Sequence, residues 1–491
     1  MFMNNADKKI KFGTDGWRDI IADSFTFENI RLVVFAIGKY LIDNGLNKKG
    51  IFIGYDNRFL SEDFALQAGY AMSSMGIKSF ISKESVPTPV TAFMVLNLKL
   101  DGAIMITASH NPPKYNGIKF IPHYGGPADD SITKEIEKNI TLYLEGKQGI
   151  PELRSYNDFL KEAGFISDFS KYKERLFEII DIDLIKKSDI KVAADTMFGA
   201  GSAVLSEILK NDLNLKVKIF NNYRDAFFGG KLPDPSSKNL ENLKNEVLKN
   251  SFEIGIALDG DADRFGVIDR EGIFISPNNV ISLILFYLAS VKNINGKNYK
   301  AVRTVATTHL IDEICAKYEI RVIETPVGFK YIGKEMQNRD VVIGGEESGG
   351  LSIIGHIPEK DGILAGLMLL EIQSYLKLFK DDISLSQYLE KIYQEFGNFY
   401  TERIDMEVPL ERMNSIAQYF IKLDGASINN VKITEILTKD GVKLILGNKS
   451  WFLIRASGTE PLIRCYIESR DKEFFNSLKN YIVEKIGNLK K

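Results

Sequence analysis

Six short apolar runs recur through the first 350 residues of this chain, in three pairs, and most lead into sequence with helical periodicity. "IFIGYDNR" (Ile51 to Arg58) precedes the helix-like "SEDFALQAGYAMSSMG", and "GAIMITASH" (Gly102 to His110) follows. "IKVAADTMFGAG" (Ile190 to Gly201) precedes "SAVLSEILKN", and "EIGIALDGDADR" (Glu253 to Arg264) follows. "VRTVATTH" (Val302 to His309) precedes "LIDEICAKYE", and "DVVIGGEESGG" (Asp340 to Gly350) comes next. Strands alternating with helical periods restrict the fold to α/β layers with mixed, largely parallel sheets. The pattern also reads as a threefold repeat in which each second strand ends in an unusually polar or glycine-rich loop: "TASHN", "DGDADR" and "GGEES". Functional loops in open α/β sheets gather at the carboxyl ends of strands, so three such units are able to aim three loops into one cleft.

A chain of 491 residues is too long for one core. From about residue 397 its character changes. "FYTERIDMEV", "VKITEIL", "GVKLILGN", "SWFLIRAS" and "IRCYIES" are short strands, and "KEFFNSLKNYIVEKIG" is an amphipathic helix. That composition predicts a smaller C-terminal α+β domain with an antiparallel sheet. Boundaries fall near residues 160, 275 and 397, giving units 1–160, 161–274, 275–396 and 397–491.

Charge is nearly balanced, with 63 Lys+Arg against 65 Asp+Glu, which argues against nucleic acid or an anionic membrane as partner. The most apolar stretch, "VISLILFYLASV" (Val280 to Val291), is shorter than the roughly 18–20 residues a bilayer span needs and reads as a buried helix. The N-terminus has no apolar core of a signal peptide. Two distant cysteines make no disulfide framework, and four histidines give little material for a histidine metal site. A cytoplasmic protein is expected, monomer or homodimer.

"DGDADR" places Asp259, Asp261 and Asp263 within five residues. Three carboxylates so close repel one another unless a cation lies between them, and hard divalent ions such as Mg2+ prefer oxygen ligands. An EF-hand is excluded, because Arg264 stands where its glycine belongs and Arg270 where its glutamate belongs. A plain acidic turn is the competing reading. Arg264 is placed to grip a phosphate or a carboxylate. "GGEESGG" offers Glu346, Glu347 and Ser348 to sugar hydroxyls, or is a flexible turn. "RASGTEPLIR" sets Arg455 and Arg464 around Ser457, Gly458 and Thr459, which suits a phosphate nest or a solvated hairpin. "FGTDGWRD" supplies Thr14 and Arg18, "PVGFKYIGK" supplies Lys330, and "GHIPEKDG" supplies His356. Singly, each of these last three is an ordinary turn.

"TASHNPPKYNG" (Thr107 to Gly117) puts Ser109 beside His110. A serine is a poor nucleophile without activation. His110 is not placed as its base, because neighbours in an extended segment point to opposite faces. The glycines of a nucleophile elbow are replaced by Thr107 and Asn111. A phosphate-carrying serine beside a metal is the better reading.

Together "TASHNPPKYNG", "DGDADR", "GEESGG" and "RASGTEP", in that order, with "FGTDGWR" before them and "EKDG" after the third loop, resemble the α-D-phosphohexomutases over nearly the whole chain, from about residue 11 to 470. That family comprises phosphoglucomutases, phosphomannomutases and phosphoglucosamine mutases. The resemblance implies three related α/β domains and a smaller fourth around a central cleft. It implies that Ser109 is a phosphoserine, and that Asp259, Asp261 and Asp263 bind Mg2+ together with an oxygen of that phosphoserine. Glu346 and Ser348 would meet sugar hydroxyls, and Arg455, Ser457, Gly458 and Thr459 would hold the phosphate that stays put. Thr14, Arg18, His110, Lys119 and Arg264 match active-site positions, Lys119 as a candidate general base if nearby cations weaken its hold on its proton.

The implied reaction interconverts hexose 1-phosphate and hexose 6-phosphate through a hexose 1,6-bisphosphate that turns over in the cleft. "GFK" (Gly328 to Lys330) is close to the Gly-Trp-Lys of glucose-specific members, and Gly349-Gly350 and His356 also fit that type. Glucose phosphates are therefore expected first, mannose phosphates or dual specificity second, and glucosamine phosphates third. A hexose-1,6-bisphosphate synthase would carry the same motifs. A sugar-phosphate binder without activity would show lost catalytic groups, and none is lost.

Overall fold

The computed structural model describes residues 10–12, 16–457 and 461–490. Four sheets follow one another along the chain. The first has the order Trp17–Ile20, Tyr115–Pro122, Gly102–Ile106, Ile51–Tyr55, Ser79–Ser82, Gly164–Ile166. The second runs Phe274–Ile275, Phe265–Asp269, Ile254–Leu258, Lys191–Asp195, Lys216–Phe220. The third runs Arg321–Thr325, Lys300–Thr304, Val341–Glu346, Gly350–Ile353.

One plan underlies all three. A first strand (Ile51–Tyr55, Lys191–Asp195 or Lys300–Thr304) lies parallel to two neighbours, the strand that follows it in the chain and the next one on its other side. That third strand then turns back as an antiparallel hairpin: Ile106 pairs with Ile118, Leu258 with Phe265 and Glu346 with Gly350. The three chemically unusual loops are these three hairpin connections. The strands "IFIGY", "GAIMI" and "IGIAL" are buried at every position, as expected where helices cover both faces of a parallel sheet.

The fourth sheet is wholly antiparallel, in the order Tyr400–Glu407, Leu462–Ser469, Trp451–Ala456, Val442–Leu446, Val431–Leu437, Ser427–Ile428. It has its own core with the helices Leu410–Ile421 and Lys472–Leu489. A small cluster of Val305, Ala306, Trp451, Leu453 and Tyr466 joins it to the third unit. The first three units share a continuous apolar core instead. Helix Gly362–Phe379 lies in that core, against Ile254–Leu258 of the second sheet and Gly350–Ile353 of the third. Among the described residues it is the one helix long and apolar enough to cross a membrane, and 78% of it is buried inside the protein. The stretch around Val280 forms the buried helix Pro277–Ser290.

Candidate active site

Ser109 is buried and stands at φ +51°, in the left-handed region. Its Oγ donates to Asp259 Oδ2 at 2.8 Å, and its backbone N–H donates to Thr107 Oγ1 at 2.9 Å. His110 Nδ1 is 3.4 Å from the same Oγ. The expected divergence of the two neighbours therefore fails: Ser109 is not extended, and the left-handed turn brings the histidine round beside it. Arg264, burial and Arg18 push the imidazole well below its ordinary range, so His110 faces the serine as a neutral ring.

The three aspartates are buried, with one ligand oxygen from each lying within 4.8 Å of the others. Burial, reinforced by Asp261 and Asp263, pushes Asp259 well above the usual carboxylate range. Burial also acts upward on Asp263, but Lys119, Lys360 and Arg264 outweigh it and hold that carboxyl below the range. Asp261 Oδ1 and Asp263 Oδ1 are buried without a hydrogen-bond partner. Hard oxygen donors left in this way fit a small divalent cation.

Lys119 Nζ donates to Asp261 Oδ2 at 2.9 Å and to Asp263 Oδ2 at 3.0 Å. Lys119, the candidate base expected from sequence, thus stands as an ion-pair donor between two carboxylates. Lys360 Nζ approaches Asp263 Oδ2 at 3.4 Å, which brings the third unit onto the second. Gly362 N–H donates to Ala262 O at 3.0 Å, and a Cβ on Gly362 would stand 2.4 Å from Arg264 O. That close approach explains the glycine of "EKDG". Arg264 Nε is buried with no hydrogen-bond partner, near Asp263, Asp259 and Glu346.

Four family descriptions match the chain in order. Phosphoglucomutase/phosphomannomutase alpha/beta/alpha domain I covers residues 9–146, domain II 170–272, domain III 276–396, and the C-terminal domain 411–485. The chain belongs to the phosphoglucomutase/phosphomannomutase family. It is 31% identical over 470 residues to a phosphoglucosamine/phosphogalactosamine mutase of Sulfurisphaera tokodaii, covering 96% of this chain and 97% of that one. It is 31% identical to a phosphoglucomutase/phosphomannomutase of Thermococcus kodakarensis, covering 94% and 95%. A crystal structure of a protein described as a phosphomannomutase from Thermus thermophilus superposes with a TM-score of 0.80 at 31% identity, covering 98% and 99%. The chain is thus an enzyme of the phosphohexomutase type, with the α/β and C-terminal domains of that family.

Within this phosphohexomutase the remaining candidates lie as follows. Arg18 Nη1 donates to Asn111 Oδ1 at 2.9 Å, next to the serine loop. Glu346 is buried and accepts from Ser348 Oγ at 2.8 Å; burial raises its carboxyl, against Lys360. Lys330 Nζ is held by Asp130 Oδ1 at 2.6 Å. Arg455 Nε donates to both oxygens of Asp440, at 2.9 and 3.0 Å, and Ser457 N–H donates to Leu462 O at 2.8 Å. Thr14, Gly458 and Thr459 lie outside the described residues. His356 differs from expectation. Its side chain is fully enclosed and bonds Asp361 Oδ2 at 2.8 Å. Asp361 also accepts from Tyr172 and caps the helix Gly362–Phe379, so the histidine braces a helix start between units rather than facing sugar.

Sequence reasoning missed Asp56 and Arg58, which bind the serine loop through Thr107 and the carbonyls of Ser109 and Asn111. It missed Thr88, whose hydroxyl donates to Asp261 Oδ2 at 2.6 Å, and Lys360. The available signal was position: "DNR" follows a fully apolar strand, where such loops carry function.

Proposed function

We propose that this phosphohexomutase interconverts hexose 1-phosphate and hexose 6-phosphate through a phosphorylated Ser109, with glucose phosphates preferred. The observation that carries the reading is the 2.8 Å bond from Ser109 Oγ to Asp259, inside a buried triad of carboxylates. Phospho-Ser109 gives its phosphoryl group to a free hydroxyl of the bound sugar phosphate. The bond from Ser109 Oγ to phosphorus breaks as the bond from the sugar oxygen forms. The proton lost by the sugar hydroxyl is balanced by one gained at Ser109 Oγ. The hexose 1,6-bisphosphate then turns over and returns its other phosphoryl group to Ser109.

Asp259, Asp261 and Asp263 would hold Mg2+, which when bound neutralises charge on the transferring group. Lys119 and the unpartnered Arg264 Nε add fixed positive charge in a buried setting, where it acts strongly. His110 steadies the phosphate as a neutral donor. Glu346 and Ser348 orient sugar hydroxyls, and Lys330 binds the substrate. Arg18 serves the transferring phosphate, and Thr14 contacts the substrate. Arg455, Ser457, Gly458 and Thr459 hold the phosphate that is not moving.

The glucose preference rests on Gly328-Phe329-Lys330 and Gly349-Gly350. Phe329 is buried, and Lys360 Nζ lies 5.2 Å from its ring centre. Mannose phosphates are the second reading, in keeping with the names of the Thermococcus and Thermus relatives, and aminosugar phosphates the third, in keeping with that of the Sulfurisphaera relative. A coupled assay on glucose, mannose and glucosamine 1-phosphates, with Mg2+ and bisphosphate supplied, decides. Faster turnover of glucose 1-phosphate is expected, and comparable rates on all three defeat the preference. Ser109→Ala abolishes conversion; wild-type turnover by that variant defeats the phosphoserine.

A further inference from the structure

Asp440 lies in the turn between strands Val431–Leu437 and Val442–Leu446, outside every loop that the sequence marks as chemical. Its Oδ2 accepts the backbone N–H of Val327 at 2.9 Å, one residue before Gly328-Phe329-Lys330 in the third domain. Both its oxygens accept from Arg455 Nε, at 2.9 and 3.0 Å, in the fourth. The adjacent Lys439 Nζ donates to Glu324 O at 2.5 Å, a second tie to the third domain. Gly441, at φ +85°, lets the turn press onto strand Trp451–Ala456: a Cβ there would stand 2.5 Å from Ile454 O and 3.2 Å from Arg455 Cα. Asp440 and Arg455 are each only about one-fifth exposed, so the pair is partly shielded from solvent.

These contacts join two segments that meet nowhere in the sequence. One carries Lys330, held in turn by Asp130 of the first domain. The other carries Arg455. A carboxylate gripping Nε fixes the plane of a guanidinium and hence the direction in which it meets an anion. A hexose phosphate is read at its sugar and at its phosphate together, which is worth most when the separation of the two sites is preset. The fourth domain has a separate core and only a small apolar joint to the third, so polar ties are what remains to set that separation.

We infer that Asp440 is a positioning residue that fixes Arg455 relative to the sugar segment 327–330 and so sets the span between the phosphate site and the sugar site. The inference rests on the function proposed above for those two segments.

The test compares wild type, Asp440→Ala, Asp440→Asn, Arg455→Met and the double variant Asp440→Ala/Arg455→Met, by steady-state kinetics on glucose 1-phosphate. Asp440→Ala raises KM about tenfold with kcat changed less than about threefold, the signature of lost ground-state positioning. Asp440→Asn, which keeps an acceptor for Val327, falls between, and it carries the comparison alone if the alanine variant does not fold. In the Asp440→Ala background Arg455→Met costs several-fold less than in wild type, because the arginine is already misdirected. A purely structural aspartate leaves the cost of Arg455→Met unchanged. Unaltered KM in Asp440→Ala, or effects that simply multiply, overturn the inference. Absence of mutase turnover in wild type defeats the proposed function instead, so the two failures are told apart.

Discussion

Arg58 donates from Nη2 to the carbonyl oxygen of Ser109 at 2.6 Å. The same guanidinium donates to the carbonyls of Asn111, Pro112 and Tyr115 at 2.7 to 3.0 Å, and its Nε pairs with Asp56. Asp56 in turn accepts from Thr107 Oγ1 at 2.6 Å and from Ser61. A fully buried ion pair thus holds four carbonyls of the serine loop, that of Ser109 in its left-handed turn among them. Removing one partner strands the other charge. Arg58→Met is expected to cost roughly 3–5 kcal/mol of stability, readable as a lowered urea midpoint. It is expected to lower turnover in the surviving folded fraction as well. Arg58→Lys, a point charge without the planar fork, recovers part of the stability and little of the turnover. Full activity in Arg58→Met would show that the loop holds its shape unaided.

Asp130 reaches from the first domain to two consecutive residues of the third. Oδ1 takes Lys330 Nζ at 2.6 Å, and Oδ2 takes the Tyr331 hydroxyl at 2.9 Å. The bond from Lys330 lowers the Asp130 carboxyl, against the opposing effect of burial. Its side chain is 45% exposed, so solvent screens the pair and the loss in stability should stay under about 1 kcal/mol. Function is more sensitive, because the carboxylate orients Lys330. Asp130→Ala is expected to raise KM for glucose 1-phosphate roughly three- to tenfold at little changed kcat. Steady-state kinetics with a thermal midpoint on the same sample check both parts; an unchanged KM rules out the orienting role.

How far the sequence spoke depended on how local each feature is. Asp259, Asp261 and Asp263 are legible because three carboxylates in five residues are odd without a partner. The three α/β units are legible because apolar runs and polar loop ends repeat together, and the sheets follow one order. Asp130 and Asp440 carry no such mark. Each is one acidic residue in an ordinary turn or helix start, and its partner lies 200 or more than 100 residues away. The neighbourhood of Ser109 and His110 departs from the sequence expectation for a different reason. A positive φ at a serine is imposed by Arg58 and Asp56 from outside the loop, and nothing within "TASHN" announces it. His356 sits in a family-like segment, but the carboxylate it serves, Asp361, also binds Tyr172 of the second unit.

The joint between the third and fourth domains should respond to pH. Lys443 Nζ is buried against Val305 O at 2.8 Å, His309 Nε2 at 3.0 Å and Glu324 Oε2 at 3.3 Å, and lies 4.2 Å from the Trp451 ring centre. Arg303 and Glu468 complete its charged surroundings. Burial, with Arg303, pushes Lys443 down to about 8 from an ordinary 10.5. Between those values the unfolded chain holds more protons than the folded one, so stability rises with pH there. The full penalty, roughly 3 kcal/mol, is present below about pH 8. Burial pushes His309 far below its ordinary 6.5, so the unfolded chain takes up a proton that the folded one refuses, and stability falls as pH drops through that value. Urea titrations across pH should show both slopes. Lys443→Met removes the rise between about pH 8 and 10.5, and His309→Gln flattens the fall between about pH 5 and 6.5. Slopes identical to wild type in both variants would place the titrating groups elsewhere.

Gly260 measures how closely the metal loop must meet the serine loop. A Cβ on it would stand 2.6 Å from Ser109 O, a distance that side chains do not tolerate, and 3.3 Å from Pro233 Cγ. Ser109 O is itself held by Arg58 Nη2 at 2.6 Å, so moving it costs that bond. Gly260→Ala must therefore push the aspartate loop away and stretch the 2.8 Å bond between Ser109 Oγ and Asp259. A shift of several tenths of an ångström at reacting groups costs on the order of 10- to 100-fold in rate. The overpacking itself costs only about 1–3 kcal/mol of stability. Gly487→Ala, where an added Cβ meets nothing within 4 Å, is the matched control. Single-turnover transfer to glucose 1-phosphate should be slowed in Gly260→Ala and unaltered in Gly487→Ala. A Gly260→Ala enzyme that transfers at the wild-type rate would mean that the two loops need not touch for the phosphoryl group to move.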